Sequence, residues 1–398
     1  MLFRSAADTA SSMLPTMLGG SAPQRYLLVF QNNAEIRATG GLPGAVADVV
    51  ASDGRLSIEK QIAGMDLGPT RRPVLPLTDA ERKLYGDVLG QYFVNANSTP
   101  DVPRAADLMR ARWEQAYPDR PVDGVILVDT VALGYLIDAT GPITVQGVRL
   151  TGENLTEELL SRSYARLTQD QQDAFFAEVA RTAFEKFTTG VSDGTALLKA
   201  LAHGVEEGRI LLHSFDADLQ QRITGTRIAG DLLSAPPASR PSIAVTLDDT
   251  TAAKMSYYLR YQVDASATYC TPQQGQGISL KAHLTSTAPA DAATSLPSYV
   301  TGNQGVRKGD ELVTVRFFGP VGGSIGDLVL NDEPMSLIRT TEDGRPVAMT
   351  YIELMPGQTV DLSLTMESGP DQAGDTQVTV TPTIQRSDVL STLTSACG

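Results

Sequence analysis

Basic residues are scarce in this chain, which has 32 Lys and Arg against 46 Asp and Glu and a formal net charge of −14. No run of Lys or Arg rises above this acidic background. Such a charge repels nucleic acid, because binding to nucleic acid depends on neutralising phosphates. The composition therefore argues against nucleic acid as a partner.

Cysteine is also rare, and the chain contains only Cys270 and Cys397. Neither belongs to a Cys-x-x-Cys pair, and no histidine lies near either one at ligand spacing, which argues against a zinc site. Two cysteines in one β-rich region, the second almost at the chain end, predict a disulfide that fixes the C-terminus. That pairing would indicate an oxidising compartment. The alternative is two unrelated buried thiols.

The sequence lacks a signal peptide and any apolar run long enough to span a bilayer. Residues 3–18 show helical periodicity, and Gly19-Gly20 predicts the end of that helix. We therefore expect residues 1–24 to be the end of an upstream helical region.

Common catalytic signatures are missing as well. The chain has no GxxxxGK[ST] or GxGxxG phosphate loop and no GxSxG nucleophile elbow. The histidines have no partner at catalytic spacing, so we expect packing or surface roles for His203, His213 and His283. An ordinary nucleotide site is therefore not predicted.

Apolar strands alternate with helical segments in the first part of the chain. YLLVF and GVILVD are continuous apolar runs of strand length, typical of strands buried on both faces. The Asp53-Gly54 pair predicts a hairpin between strands at 45–50 and 56–62. This alternation predicts an α/β domain over 25–236, with a layered mixed sheet flanked by helices.

The composition changes at SAPPASRP (234–241), which predicts a linker or a tight domain junction. Alternating segments follow, from SIAVTL to TQVTVTPTIQ, and turn residues separate them. Their spacing predicts an all-β, immunoglobulin-like sandwich over 240–398. Acidic residues of this domain, such as Asp248 and Asp249, are expected in turns and at its rim.

The loop after the YLLVF strand is the first candidate site. Its hydrogen-bonding groups and glycines belong to Gln31, Asn32, Asn33, Glu35, Arg37, Gly40 and Gly41. In open α/β sheets, ligands bind beyond the carboxyl ends of the strands. Arg37 is suited to bind an anion through two hydrogen bonds, and the glycines allow close backbone approach. The alternative is a polar turn whose side chains bond their own backbone.

The second candidate is the loop that precedes the helix predicted from about Pro103, and its residues are Asn95, Asn97, Asp101 and Arg104. Asp101 lies at the start of that helix, where it either caps the helix or ligates a cation. Capping is the commoner role of an aspartate at this position.

The third candidate is the helical segment from Asn154, which includes Tyr164. Arg162 and Arg166 are four residues apart and share one helix face. Two guanidinium groups on one face repel each other unless an anion lies between them. A diphosphate would serve, and so would Glu158 or Asp170.

The segment YLLVFQNNAEIRATGG resembles the signature of the bacterial domain of unknown function 4012. Further blocks agree, among them STPDVPRAADLMRARW and RKGDELVTVRFFGPVGG. The resemblance runs from about Arg25 to Thr383. It implies a membrane-anchored envelope protein with an N-terminal membrane helix and a long extracytoplasmic part.

A more distant resemblance links VDGVILVDTVALGYLIDATGPITV to the LytR-CpsA-Psr proteins. Those proteins bind polyprenyl diphosphate lipids and transfer glycopolymers onto peptidoglycan, using Mg. The residues that the resemblance implies for the diphosphate are Arg37, Arg162 and Arg166. The residues implied for orienting the diphosphate or its cation are Asn32, Asn33 and Glu35. Asp101 is implied as a metal ligand or base.

The loop departs from that family's pattern, because QNNAEIR replaces a Gly-Thr-Asp sequence. Glu35 and Asp101 are then the obvious carboxylates for Mg. Two functions follow. One is an envelope protein that binds a polyprenyl-(di)phosphate-linked glycan or cell-wall glycopolymer and transfers it to peptidoglycan. The other is a non-catalytic envelope scaffold that binds a glycan or a protein partner. An unrelated hydrolase or lipid carrier is a third reading.

Overall fold

The structure is a computed structural model that describes residues 13–189, 193–233, 239–302, 305–385 and 390–397. A helix is predicted over residues 3–18, and residues 13–17 are helical in the structure. The first part of the predicted helix, residues 3–12, lies outside the described residues. Residues 234–238 of the predicted linker also lie outside them.

The chain forms two compact units that interleave along the sequence. The α/β unit contains the residues up to Gln31, Pro43–Pro76 and Val88–Asp231. The β unit contains Asn32–Leu42, Leu77–Asp87 and Leu232–Gly398. The sequence places 32–42 and 77–87 in the α/β domain, whereas in the structure both segments pack within the β unit. The domain bounds 25–236 and 240–398 stay a prediction.

The strands of the α/β unit are β1 (Gln24–Asn32), β2 (Leu42–Ser52), β3 (Arg55–Ala63), β4 (Gly124–Asp129), β5 (Ile143–Val145), β6 (Val148–Leu150) and β7 (Ile210–Ser214). Five of them form a mixed sheet in the order β3-β2-β1-β4-β7, and β5 pairs with β6. Strands β1 and β4 are parallel, whereas β7 runs antiparallel to β4. Leu27, Val29 and Leu127 are buried in this sheet, which explains the apolar runs of β1 and β4.

Helices pack against this sheet and fill the rest of the unit. The α-helices are Val88–Gln91, Val102–Ala116, Thr130–Thr140, Leu155–Glu157, Ser163–Arg166, Gln169–Thr189, Gly194–Glu206 and Ala217–Ile223. Short 3-10 helices lie at Gly64–Leu67 and Phe93–Ser98. In the ranges that the structure describes, no helix combines the length and apolar character needed to cross a membrane.

The predicted hairpin between β2 and β3 is confirmed. Asp53 and Gly54 have φ angles of 50° and 77°. Positive φ at both central residues is the geometry of the two-residue turn that matches the twist of a hairpin.

The strands of the β unit are β8 (Ser242–Asp249), β9 (Leu259–Cys270), β10 (Gln276–Ser286), β11 (Glu311–Phe318), β12 (Ser324–Ile325), β13 (Leu328–Leu330), β14 (Glu333–Met335), β15 (Ile338–Glu342), β16 (Arg345–Leu354), β17 (Thr359–Glu367), β18 (Thr376–Val380) and β19 (Thr392–Leu393). Its helices are Asp79–Tyr85, Met255–Tyr258, Ala292–Ser295 and Ser298–Thr301. One sheet has the order β14-β13-β17-β10-β9 with β12 paired to β17, and the other has the order β15-β16-β11-β8-β18-β19.

Both sheets contribute to one hydrophobic core. Leu280 and Leu362 come from the first sheet, and Val245 and Phe317 come from the second. Ile36 of segment 32–42 belongs to the same core. The mixed α/β unit and the β-rich C-terminal part are thus as predicted, and the immunoglobulin-like assignment stays a prediction.

The predicted disulfide joins Cys270, at the end of β9, to Cys397, and their Cα atoms are 4.8 Å apart. The neighbouring Ala396 N donates to Gln276 Oε1 at 2.9 Å. The disulfide therefore fixes the C-terminal segment against β10 and β9, as the sequence predicts.

Candidate functional site

Segment Asn32–Leu42, named the arm below, is almost entirely buried in the β unit. Asp249 N donates to Ile36 O at 3.0 Å, and Thr381 Oγ1 donates to Ala38 O at 2.9 Å. The Ile36 side chain packs in the core shared by the two sheets. The arm is therefore a structural part of the β unit rather than a solvent-exposed loop of the α/β unit.

The amides and glycines of the arm serve its own backbone. Asn32 Oδ1 accepts from Ala34 N at 3.0 Å, and Asn33 Nδ2 donates to Gly40 O at 3.2 Å. A Cβ atom on Gly41 would lie 2.3 Å from Asn32 O, so only glycine fits there. These contacts match the polar-turn alternative, and ligand binding by these residues stays a prediction.

Glu35 and Arg37 are paired with each other. Arg37 Nη2 donates to Glu35 Oε1 at 3.0 Å, and Lys254 Nζ donates to Glu35 Oε2. Burial alone would raise the pKa of Glu35, but Lys254 and Arg37 outweigh it and hold the pKa below its ordinary value. The Arg37 guanidinium thus contacts the Glu35 carboxylate and, through Nη1, the carbonyl oxygen of Ile36 at 2.9 Å.

Two further buried carboxylates, Asp249 and Glu311, belong to this cluster, and the sequence did not predict either of them there. Burial raises the pKa of Asp249 to about 6, with Glu35 adding to the rise and Arg37 opposing it. Burial also raises the pKa of Glu311 to about 8. A side-chain interaction with Ser256 opposes this rise, and Asp249 adds to it.

The expectation that Asp248 and Asp249 lie in turns and at the rim is wrong, because both are buried at the end of β8. Asp248 Oδ2 accepts from the buried Arg316 Nη1. Asp249 Oδ1 accepts from Thr251 Oγ1 at 2.7 Å. These cation and hydroxyl partners offset the free-energy cost of burying the two carboxylates.

Asp101 caps the helix Val102–Ala116 in the α/β unit. Its Oδ2 accepts from Arg104 N at 3.3 Å, and the side chain is buried. The capping interpretation is therefore confirmed.

A π-helical turn at Glu158–Arg162 organises the third candidate segment. Arg162 Nη1 donates to Glu158 Oε1 at 2.8 Å, and Arg166 Nη2 donates to Glu158 Oε2 at 2.9 Å. Glu158 is buried, whereas the two arginine side chains are 53% and 45% exposed. Glu158, rather than Asp170, is thus the anion between the two guanidinium groups.

The other residues predicted in that segment have local roles. Asn154 Oδ1 accepts from Thr151 N at 2.8 Å and closes the turn before the helix. Tyr164 is buried and packs edge-on against Phe176, with ring centres 6.2 Å apart. Arg162, Arg166 and the acidic Glu157 of this segment present charged groups to solvent, and Glu157 Oε1 accepts from Arg162 Nε at 3.1 Å.

The residues suggested for magnesium do not fit it as they are placed. Glu35 is paired with two cations in the β unit, and Asp101 caps a helix in the α/β unit. Across the described ranges, no three His, Cys, Asp or Glu side chains are grouped to hold a metal ion. Magnesium dependence therefore stays a prediction.

Polar side chains also meet where the parallel strands β1 and β4 end. Gln31 and Asp129 are neighbours in the sheet, and Asn97 Nδ2 donates to Gln31 Oε1 at 2.8 Å. Asp129 Oδ1 accepts from Ala132 N and caps the following helix, and its Oδ2 accepts from Arg209 Nη1 at 2.7 Å. Ligands of open α/β sheets bind at this edge.

Glu207 extends this network toward solvent. Its carboxylate accepts from Arg209 Nε and from Tyr135 Oη at 3.0 Å, and it lies 3.1 Å from His203 Nε2. Glu207 is buried, whereas the His203 side chain is 53% exposed. The surface role expected for His203 is met, but its pairing with Glu207 was not anticipated. The sequence feature that could have indicated this network is the Asp129-Thr130 pair, where a buried strand is followed by a helix.

Comparison with known proteins gives one family match. Residues 21–164 match the family described as "Protein of unknown function (DUF4012)". No curated protein matches this chain.

Several solved structures show partial likeness to the chain. The transcriptional regulator yvhJ from Bacillus subtilis is 14% identical, with 51% of this chain and 77% of that chain covered and a TM-score of 0.30. Protein gbs0355 from Streptococcus agalactiae is 11% identical, with 55% and 76% covered and a TM-score of 0.35. Bacillus subtilis TagV is 15% identical, with 54% and 85% covered and a TM-score of 0.29. Structural similarity at these sequence identities and TM-scores does not indicate a function. The family match over residues 21–164 supports the resemblance to this family noted in the sequence.

Proposed function

We propose that this chain is part of an extracytoplasmic, membrane-anchored envelope protein that binds a polyprenyl-(di)phosphate-linked glycan or cell-wall glycopolymer without transferring it. The proposal extends the DUF4012 match and the resemblance to LytR-CpsA-Psr proteins, whose ligands carry phosphates. The anionic group of the ligand would bind at Arg162 and Arg166.

The observation that carries the proposal is the π-helical turn at Glu158–Arg162. Such turns are rare and occur frequently at functional sites. Here the turn places two half-exposed guanidinium groups on the buried Glu158, and the exposed Glu157 also accepts from Arg162 Nε at 3.1 Å. Phosphate oxygens accept paired hydrogen bonds from arginine, so a phosphate would take the outward-facing donors while Glu158 keeps both side chains in place.

The arm supports binding without transfer. A transferase of the resembled kind needs cations for the diphosphate and carboxylates for its metal. Glu35 and Arg37 instead neutralise each other inside the β unit. The groups suggested for catalysis are thus occupied by protein contacts.

The disulfide supports the proposed extracytoplasmic location. Disulfides persist in oxidising environments and are rare in the cytosol. Cys270 and Cys397 are joined in the structure. An extracytoplasmic position fits this bond and agrees with the envelope role that the family resemblance implies.

Glycopolymer transfer is the second candidate, and the Asp129–Arg209–Glu207 network favours it. This network lies at the sheet edge where α/β proteins bind ligands. His203 would act as the base that removes a proton from an acceptor hydroxyl, with Glu207 holding the imidazole.

Calorimetric titration with geranylgeranyl diphosphate, with and without Mg, tests the binding proposal. We expect the double variant Arg162→Ala, Arg166→Ala to bind at least about tenfold more weakly than the natural chain, a loss of about 1.4 kcal/mol. Arg181→Ala is the matched control, because Arg181 is equally exposed and pairs with Glu185 on a helix surface.

Equal binding by the double variant and the natural chain would contradict the proposal that Arg162 and Arg166 bind the diphosphate. Release of lipid-linked glycan onto peptidoglycan fragments, lost in His203→Ala, would replace the binding proposal with the transfer candidate.

A further inference from the structure

Lys254 and Glu35 form a buried contact between residues that lie far apart in the sequence. Lys254 Nζ donates a hydrogen bond to Glu35 Oε2, and the two residues are 6% and 4% exposed. Lys254 follows β8, and its stem passes the ring of Tyr299 with Nζ 5.1 Å from the ring centre. Both residues belong to the β unit.

Acidic and basic groups surround this contact from each neighbouring element. The arm supplies Arg37, whose Nη2 donates to Glu35 Oε1 at 3.0 Å. The end of β8 supplies Asp248 and Asp249, which both act on Arg37. The start of β11 supplies Glu311, which is fully buried and acts on Asp249. A primary amine, a carboxyl group and neighbouring carboxyl groups are therefore enclosed together.

We propose that Lys254 and Glu35 condense to form an intramolecular amide bond between their side chains. A buried amine held against a carboxyl group is oriented for attack, and such positioning replaces a bimolecular encounter by an intramolecular step. The neighbouring carboxyl groups supply the proton transfer that the step needs.

The step balances without any co-reactant. Lys254 starts as an ammonium and Glu35 starts as a carboxylate, and one ammonium proton passes to the carboxylate. The nitrogen lone pair then attacks Cδ of Glu35 and forms a C–N bond. A second proton moves from nitrogen to the departing oxygen, the C–O bond breaks, and one water molecule leaves. The product is a neutral secondary amide.

Burial favours this product over the ion pair. Enclosing an ammonium and a carboxylate costs several kcal/mol for each ion before their attraction is counted. Condensation removes both charges together. Arg37 keeps the carboxylates of Asp248 and Asp249 as its counter-charges, and the new carbonyl oxygen replaces Glu35 Oε1 as the acceptor for Arg37 Nη2.

Asp249 and Glu311 are the candidate proton carriers near the pair. Asp249 interacts electrostatically with Glu35, and its raised pKa of about 6 lets it accept and release a proton near neutral pH. Glu311, with a pKa of about 8, stays protonated beside Asp249 at neutral pH. The amide would tie the arm covalently into the β unit.

Mass spectrometry of the natural chain tests this bond directly. With the disulfide intact, we expect a mass lower than that of the disulfide-bonded sequence by one water molecule. Trypsin does not cleave after an acylated lysine, so residues 26–37 should appear joined to residues 228–260. Separate peptides ending at Arg37 and Lys254 as the sole products would overturn the proposal.

Two variants exclude other causes of the mass change. Loss of water at Asp53-Gly54 would mimic the intact mass but would persist in Lys254→Arg, where a guanidinium replaces the amine. We expect Lys254→Arg to regain the full mass and the exposed control Lys281→Arg to keep the deficit. A deficit that survives in Lys254→Arg would overturn the proposal. If that variant fails to fold, the joined peptide of the natural chain decides alone.

Discussion

Arg209 Nη1 donates to Asp129 Oδ2 across 2.7 Å, and both side chains are almost completely buried. Asp129 ends β4, and Arg209 immediately precedes β7, so the ion pair joins the two strands at one edge of the sheet. Burial alone would lower the pKa of Arg209, but Asp129 and Glu207 outweigh it and raise the pKa.

We expect Arg209→Ala to lower the free energy of unfolding by about 3–5 kcal/mol, because it leaves buried carboxylates without their cation. Urea denaturation of the purified chain measures this change. Arg181→Ala, which removes an exposed pair, should change the free energy by no more than about 0.5 kcal/mol. Equal effects of the two substitutions would show that the Arg209 network contributes little to stability.

The disulfide closes a long loop, because Cys270 and Cys397 have a sequence separation of 127. We expect the double variant Cys270→Ser, Cys397→Ser to lose roughly 4–5 kcal/mol of stability, because the unfolded chain regains the freedom of that loop. Thermal unfolding of the variant, and of the natural chain with and without reductant, measures the effect. A reductant that leaves the melting temperature of the natural chain unchanged would contradict a closed disulfide.

Glu311 makes stability depend on pH. Burial raises its pKa from 4.5 to about 8, so the folded state holds a proton that the unfolded state has released. Stability from this group is therefore fully present below pH 4.5 and is lost as the pH rises to about 8. The slope is at most roughly 1.4 kcal/mol per pH unit.

Glu311→Gln should flatten this dependence, because the amide carries no charge at any pH. Asp249 and His213 titrate in both proteins, so their contributions cancel when the two stability profiles are subtracted. Urea denaturation between pH 4.5 and about 8 compares the two proteins. Parallel profiles would mean that Glu311 is ionised in the folded chain.

Ile36 tests the position of the arm. Its side chain is 1% exposed in the core of the β unit, so Ile36→Ala should cost about 2–5 kcal/mol. Ile338→Ala is the matched control, because Ile338 is 38% exposed at the edge strand β15. A small loss for Ile36→Ala, equal to that of the control, would show that the arm is not packed in the core.

Local patterns in the sequence predicted local structure well. The apolar runs of β1 and β4, the Asp53-Gly54 hairpin and the Asp101 cap each depend on residues close together in the chain. The Cys270–Cys397 bond followed because no other cysteine was available to pair.

The surroundings of the arm could not be predicted, because its partners lie far along the chain. Lys254 is 219 positions from Glu35, and a polar turn that bonds its own backbone has the same composition as a ligand loop. Asp248 and Asp249 resembled turn residues, since nothing near them in sequence reveals Arg316 as a buried partner. The π-helical turn at Glu158–Arg162 likewise has no local sequence signal that we recognised.

The binding claim is tested most directly by a crystal structure of this chain with geranylgeranyl diphosphate and Mg. We predict diphosphate density against the guanidinium groups of Arg162 and Arg166, with Arg37 still held by Glu35. Diphosphate density beside Arg37, with the contact between Arg37 and Glu35 broken, would contradict the account.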